Sequence, residues 1–228
     1  MRHTIPLDDW IPVPRLWEGE TVIIVASGPS FDEAQREAVM ASGLRTIVVN
    51  NMWAAIPTAD LLYAADGKWW RSVEAPTAEQ FQGLRVTPAR DVPGSHRVGV
   101  EHVTNNVFSD DPRWISNGRN SGFQAIGLAR HLGVRRIILV GFDMKPGNDK
   151  RLHSHPDHAT LHNPTAQEMG TWRGAFANGA ASLKGHVDVV NCSPGTALTC
   201  FERGLLIEAI ARTEKALQPV VPLQDNRG

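Results

Sequence analysis

The chain has 228 residues, of which 42% are hydrophobic and 21% are charged, a composition that is typical of a globular protein and excludes a disordered one. Its formal net charge of -1 provides no overall attraction to DNA or to an anionic membrane, so we expect no nonspecific nucleic-acid binding and no membrane association. Two cysteines are too few for a disulfide scaffold, and since no apolar run has the form of a signal peptide or the length of a membrane helix, we expect a cytoplasmic protein.

The predicted elements begin after an N-terminal arm. Residues 1–20 contain three prolines and two tryptophans, a pattern that predicts an extended segment. Buried, β-branched runs predict strands at residues 21–26, 46–49, 60–65, 84–87, 100–103, 136–140 and 187–190. Amphipathic runs between them predict helices at residues 31–42, 120–132, 166–183 and 203–217. For the first of these helices we expect Ser30 as the N-cap, with Glu33 completing a capping box.

Alternation of strands and helices predicts an α/β, Rossmann-like fold. Such a fold has a mainly parallel sheet with helices on both faces. We expect one nucleotide-binding domain over residues 21–217, with a long active-site loop, residues 144–165, acting as a lid. Residues 218–228 are expected to form a flexible tail.

Polar residues follow most of the predicted strands. Ligands of open parallel sheets bind outside the carboxyl ends of the strands. The polar residues at these ends are therefore expected to converge on one crevice. They are Ser27 to Ser30, Asn50 and Asn51, Asp66 and Gly67, Gly141 to Asp143, and Asn191 to Ser193.

Two of the predicted helices begin in a way that suits an anion. Gly28, before Pro29 and Ser30, allows close approach of the backbone, and the following helix offers free N–H groups. The sequence is neither a Walker A loop nor a dinucleotide-binding fingerprint, and the alternative is a plain strand-to-helix turn. Asn120-Ser121-Gly122, next to Arg119, opens a second helix that could hold an anion or carry an ordinary N-cap.

Amides and carboxylates at strand ends are further candidates. Asn50 and Asn51 could read a base or a ribose, since a carboxamide both donates and accepts, or could form an ordinary turn. Asp66 and Asp143 could bind a metal or a ribose hydroxyl, or cap the helices that follow them.

The loop of residues 144–165 carries four of the nine histidines. A metal site is one interpretation, with His153, His155, His158 and Asp157 as ligands, although the spacing matches no standard zinc motif. A general base is the second, because the pKa of histidine lies near the working pH. A solvated polar loop is the third.

Several motifs resemble known enzyme families. Val22-Ile-Ile-Val-Ala-Ser-Gly-Pro-Ser30 resembles the first strand and Gly-Pro-Ser turn of bacterial sialyltransferases that use CMP-sialic acid, and residues 120–143 are similar to their Ser-Gly helix and the strand ending in Gly-x-Asp. The same pattern occurs in motility-associated glycosyltransferases and hydroxymethyl-dihydropterin pyrophosphokinases. Residues 59–67 and 189–195 resemble this second group more closely.

The resemblance implies roles for individual residues. Gly28, Pro29 and Ser30 would hold the nucleotide phosphate and ribose, Asn51 or Asn50 would contact the nucleotide, and Ser121 and Gly122 would approach the base or the sugar. His162 would take the proton from the acceptor. The sialyltransferases place two tyrosines on the leaving phosphate, whereas this chain has only Tyr63. His153, His155 or Arg151 would have to replace them.

The function predicted from these motifs is that of a glycosyltransferase with a nucleotide-activated, CMP-sugar-like donor and a histidine base, which needs no cofactor for its chemistry. One alternative is an ATP- and Mg²⁺-dependent pyrophosphokinase that holds the metal with Asp66 and Asp143. Another is a nucleotide-binding module without turnover. The sequence leaves the acceptor and the oligomeric state open, a homo-oligomer included.

Overall fold

The computed structural model describes residues 12–101 and 106–217, with backbone only for residues 214–217. The predicted tail, residues 218–228, and the first eleven residues of the predicted arm lie outside the described residues. The described part of the arm packs on the domain. Trp17 is buried in the hydrophobic core, and the Arg45 guanidinium lies 5.9 Å from the centre of its ring.

Strands and helices alternate along the described chain. The strands are β1 (Thr21–Val25), β2 (Arg45–Val49), β3 (Leu61–Tyr63), β4 (Leu84–Thr87), β5 (His96–Arg97), β6 (Gly99–Glu101), β7 (Trp114–Ser116), β8 (Arg136–Val140), β9 (Asp188–Asn191) and β10 (Glu202–Arg203). The helices are α1 (Glu33–Ala41), α2 (Met52–Ala55), α3 (Gly67–Trp70), α4 (Ser121–His131), α5 (Ala166–Ala180) and α6 (Leu206–Leu217). A 3₁₀ turn, Ala181–Leu183, extends α5.

Eight of these strands form one parallel sheet in the order β10-β9-β8-β1-β2-β3-β4-β5. The chain builds the sheet outward from β1 in one direction with β2 to β5 and in the other with β8 to β10. The order therefore reverses between β1 and β8, and their carboxyl ends border the crevice where such sheets bind ligands. The predicted α/β, Rossmann-like fold is confirmed.

Helices cover both faces of the sheet. Val22 and Ile24 of β1 belong to a core that includes residues of α4 and α5, such as Phe123 and Phe176. Ile23 and Val25 belong to a second core, which includes residues of α1 and α6. Alternate side chains of a strand point to opposite faces, so a strand covered on both sides is apolar at every position. This is the physical reason why the continuous apolar run after residue 20 predicts β1 correctly.

The predicted cap of the first helix is wrong. The N-cap of α1 is Asp32, whose carboxylate accepts a hydrogen bond of 2.8 Å from the Gln35 amide. Ser30 lies two residues earlier, and both its amide and its hydroxyl donate to Asp143. The sequence does not predict the short elements α2, α3, β5, β7 and β10.

A buried hydrogen bond links β3 to α4. The hydroxyl of Tyr63 donates to Gln124 Oε1 at 2.9 Å, and both side chains are buried. Burial raises the pKa of Tyr63 well above its usual value, so the phenol stays protonated.

Tyr63→Phe leaves Gln124 Oε1 without this donor, and we expect a loss of about 1–3 kcal/mol in the free energy of unfolding, measured by urea denaturation. A loss below about 0.5 kcal/mol would show that the buried amide finds another donor.

Among the described helices, none has the length and apolarity needed to cross a bilayer.

Candidate active site

A cavity of ≈ 320 Å³ lies at the carboxyl edge of the sheet. Ala26, Ser27 and Gly28 after β1 and Gly141 after β8 form its floor, so it lies at the point where the strand order reverses. The N-terminus of α4 and the loop of residues 144–165 form its walls.

Most of the predicted site residues line this cavity. They are Gly28, Pro29, Asn50, Asp66, Asn120, Ser121, Gly122, His153, His155 and His162. Ser30, Asn51 and Asp143 are not part of the lining, and their side chains are engaged in hydrogen bonds within the protein.

The turn at Gly28 is pressed against the end of β8. The Gly28 amide donates to the Gly141 carbonyl at 2.8 Å. A Cβ at position 28 would lie 2.4 Å from that carbonyl oxygen and 2.0 Å from Asp143 Oδ2. Only glycine fits here, and the consequence is a turn whose backbone borders the cavity directly.

The Asp143 side chain is hydrogen-bonded to this turn. It is buried, and its carboxylate accepts hydrogen bonds from the Ser30 amide at 3.2 Å and the Ser30 hydroxyl at 2.9 Å. Burial raises the pKa of Asp143, although the hydrogen bonds from Ser30 oppose the rise. Asp66 is also engaged, as the N-cap of α3 that accepts from the Lys68 amide at 2.7 Å. Among residues 12–101 and 106–217, no group of three or more His, Cys, Asp or Glu is arranged to hold a metal ion.

The two neighbouring asparagines have different surroundings. Asn50 lines the cavity in a left-handed conformation, with φ of 49°. The carboxamide of Asn51 donates to Glu74 Oε2 at 2.6 Å and accepts from Trp69 Nε1 at 2.5 Å. Asn50 therefore lies at the cavity, whereas the Asn51 carboxamide is engaged by Glu74 and Trp69.

The N-terminus of α4 supplies a second wall suited to an anion. Asn120 caps the helix by accepting from the Phe123 amide at 3.0 Å. Arg119 and Lys145 also line the cavity. Lys145 was not identified from the sequence, because no motif marks a single lysine two residues after a strand-end aspartate. Arg151, which was considered for the phosphate, is exposed, forms an ion pair with Asp149 and is not part of the lining.

Three histidines of the loop form one cluster. The ring centres of His153 lie 4.7 Å from His155 and 5.3 Å from His158, and those of His155 and His158 are 5.1 Å apart. His153 is 8% exposed, and its Nδ1 lies 3.2 Å from Ser27 Oγ. Its Nε2 is buried without a hydrogen-bond partner. Burial, helped by the two neighbouring imidazoles, lowers the pKa of His153 to about 4, so this ring is neutral at pH 7.

Two histidines of the loop are paired with carboxylates. His158 Nδ1 lies 2.6 Å from Glu74 Oε2, and these side chains are only 11% and 20% exposed. His162 Nε2 lies 2.9 Å from Glu168 Oε1, with the side chains 68% and 41% exposed. Nothing in the sequence marked Glu74, since it comes to the loop from a segment 84 residues earlier.

The pair of His162 and Glu168 also belongs to the start of α5. Glu168 completes a capping box with Thr165. Hydrogen bonds from the Thr165 amide and hydroxyl, followed by the bond with His162, lower the pKa of Glu168 to about 2. The Glu168 carboxylate therefore caps the N-terminus of α5 and also fixes the position of the His162 ring.

Comparison with known proteins found a similar solved structure but no matching protein family. No protein-family model matches the chain, and no curated protein matches it. The chain is similar to the sialyltransferase CstII from Campylobacter jejuni in complex with a substrate analogue, cytidine-5'-monophosphate, with 13% identity and a TM-score of 0.47 over 83% of this chain and 86% of that chain. At this level the likeness carries no conclusion about the site, and the Rossmann-like fold follows from the parallel sheet and its strand order.

Proposed function

We propose that the protein is a glycosyltransferase that uses a nucleotide-activated, CMP-sugar-like donor and a histidine of the loop of residues 144–165 as general base. One observation carries the proposal. A single cavity at the reversal of strand order brings together a glycine turn, a helix N-terminus and an imidazole cluster. The first two suit a phosphate, and the third suits proton transfer.

The donor side of the cavity favours a negatively charged leaving group. The Gly28 turn lets the backbone come close to a ligand, the first turn of α4 offers backbone N–H groups, and Arg119 and Lys145 add positive charge. Transfer of a sugar from a nucleotide leaves charge on the phosphate, so groups already oriented toward it lower the barrier. Lys145 is the residue that we propose in place of the tyrosines of the sialyltransferases.

The acceptor side supplies a proton acceptor. As the acceptor oxygen bonds to the anomeric carbon, the bond from that carbon to the phosphate oxygen breaks and its electron pair leaves with the nucleotide. The hydroxyl proton passes to an imidazole. The motif resemblance assigns this role to His162, which lines the cavity and faces Glu168 with Nε2. His158 also lines the cavity, and it faces Glu74 with the other ring nitrogen, Nδ1.

No observation favours the two alternatives. A pyrophosphokinase would hold Mg²⁺ with Asp66 and Asp143, and in the structure the first caps α3 and the second holds Ser30. A binding module without turnover needs no proton acceptor, whereas the cavity is lined by imidazoles, which suit proton transfer.

A ligand screen followed by a transfer assay tests the proposal. CMP, UDP, GDP and ATP species are added with and without Mg²⁺, and the melting temperature is measured. A ligand at a hundred times its dissociation constant stabilises the fold by about 2.7 kcal/mol. We expect stabilisation by a cytidine nucleotide without Mg²⁺, followed by transfer from the matching nucleotide sugar. Stabilisation by ATP with Mg²⁺ alone would support the pyrophosphokinase instead.

A pair of loop variants serves as the matched control for the donor side. Lys145→Ala removes a charge from the cavity wall and is expected to weaken nucleotide binding about tenfold, the loss of one hydrogen bond to a charged group. Arg151→Ala removes the same charge from the same loop, outside the cavity. Its binding is expected to match that of the unmodified protein. Equal effects of both changes would indicate attraction by net charge and not a phosphate site.

A further inference from the structure

Glu74 joins two parts of the site that are far apart in sequence. Its Oε2 accepts from Asn51 Nδ2 at 2.6 Å and lies 2.6 Å from His158 Nδ1. Trp69 Nε1 in turn donates to Asn51 Oδ1. We propose that His158 is the catalytic base of the transfer and that Glu74 is its positioning residue. This inference rests on the proposed function and names the residues that perform its proton transfer.

The partner of His158 defines which ring nitrogen is basic. A carboxylate has no proton to donate, so the hydrogen bond to Glu74 requires the proton of a neutral His158 to be on Nδ1. The lone pair is then on Nε2. His158 lines the cavity, and in this proposal Nε2 is the nitrogen that accepts the proton of a bound hydroxyl.

Both members of the Glu74–His158 pair are held in place by their backbones. The Glu74 carbonyl accepts from Trp53 Nε1 at 2.8 Å, and the Glu74 amide donates to Ser72 Oγ at 3.2 Å. The His158 amide donates to Asn163 Oδ1 at 2.9 Å, and its carbonyl accepts from Asn163 Nδ2 at 3.0 Å. Groups fixed in this way lose little entropy at the moment of reaction, which is what orientation contributes to catalysis.

Solvent exposure separates this pair from that of His162 and Glu168. Water screens the interaction between His162 and Glu168, whose side chains are 68% and 41% exposed, whereas the side chains of His158 and Glu74 are only 11% and 20% exposed. When the acceptor proton arrives on Nε2, the new positive charge of His158 is stabilised by Glu74 across Nδ1. Glu74 itself gains no proton, and His158 afterwards returns its proton to water.

Kinetics of single variants test the assignment. His158→Ala is expected to lower kcat about 10²–10⁴-fold, the usual contribution of a general base, with little change in KM for the donor. Added imidazole is expected to restore part of the turnover of His158→Ala. It would restore none if the substitution had only damaged the structure. Glu74→Gln keeps the shape and removes the charge, and we expect kcat to fall about 10- to 100-fold, equivalent to losing the charged character of one hydrogen bond. A larger loss of kcat in His162→Ala than in His158→Ala would overturn the proposal.

A measurement on the protein without substrate separates this inference from the proposed function. Long-range ¹H–¹⁵N spectra of the histidine rings report the tautomer, and we expect His158 to carry its proton on Nδ1 and to lose this preference in Glu74→Gln. If no nucleotide sugar supports transfer while this tautomer is found, the proposed function fails and the pairing stands. A proton on Nε2, or a stoichiometric metal ion on the imidazoles found by elemental analysis, would overturn the assignment of His158 as base.

Discussion

Lowering the pH from 7 to 4 is expected to remove about 3 kcal/mol of folding free energy through His153. Burial and the neighbouring imidazoles lower the pKa of His153 to about 4, from 6.5. Below pH 6.5 His153 therefore binds a proton in the unfolded chain, while in the folded protein it stays neutral until the pH approaches 4. The stability associated with neutral His153 is fully present above pH 6.5, and it is lost as the pH falls toward 4.

Urea denaturation at several pH values measures this effect. The difference in the free energy of unfolding between the unmodified protein and His153→Gln is expected to change by about 3 kcal/mol from pH 7 to pH 4, because glutamine does not titrate. His186 is exposed, and His186→Gln serves as the control for removal of a histidine as such. Parallel pH curves for the unmodified protein and His153→Gln would show that His153 is protonated as easily in the folded protein as in the unfolded chain.

Replacing Gly28 by alanine is expected to abolish nucleotide binding and to lower stability by about 1–3 kcal/mol, the usual cost of overpacking. The added Cβ meets the Gly141 carbonyl oxygen at 2.4 Å and Asp143 Oδ2 at 2.0 Å. Neither is the free end of a flexible side chain, since one is backbone and the other is held by Ser30. The turn must therefore move away from β8, and the floor of the cavity moves with it.

Gly174→Ala provides the matched control. Gly174 lies within α5, and a Cβ there meets no atom within 4 Å. Alanine is favoured over glycine in a helix by up to about 1 kcal/mol, so this variant is expected to keep or gain stability and to bind nucleotide normally. The measurements are the melting temperature and the shift that a cytidine nucleotide produces. Normal binding by Gly28→Ala would mean that the nucleotide does not rest on this turn.

The residues at the strand ends show how much of the candidate site sequence patterns can predict. The apolar run of residues 137–140 in β8 is visible because burial on both faces favours apolar residues at successive positions. The residues just after it are then placed by the rule for parallel sheets. Gly28, Asn50 and Asp66 are predicted on this ground and line the cavity. Asn51 satisfies the same rule, but its carboxamide turns to Glu74 and Trp69, which a pattern along the chain does not report.

The sequence by itself determined the α/β class and the edge of the sheet where the cavity lies, because buried strands and the turns after them are properties of contiguous residues. Only the tertiary structure decided which polar groups are available there. The Ser30 hydroxyl donates to Asp143. In one loop, His153 is buried, His158 forms a sheltered pair with Glu74, and His162 forms an exposed pair with Glu168. Partners such as Glu74 and His158 are 84 residues apart, and burial and hydrogen bonding between such distant residues exist only after the chain has folded.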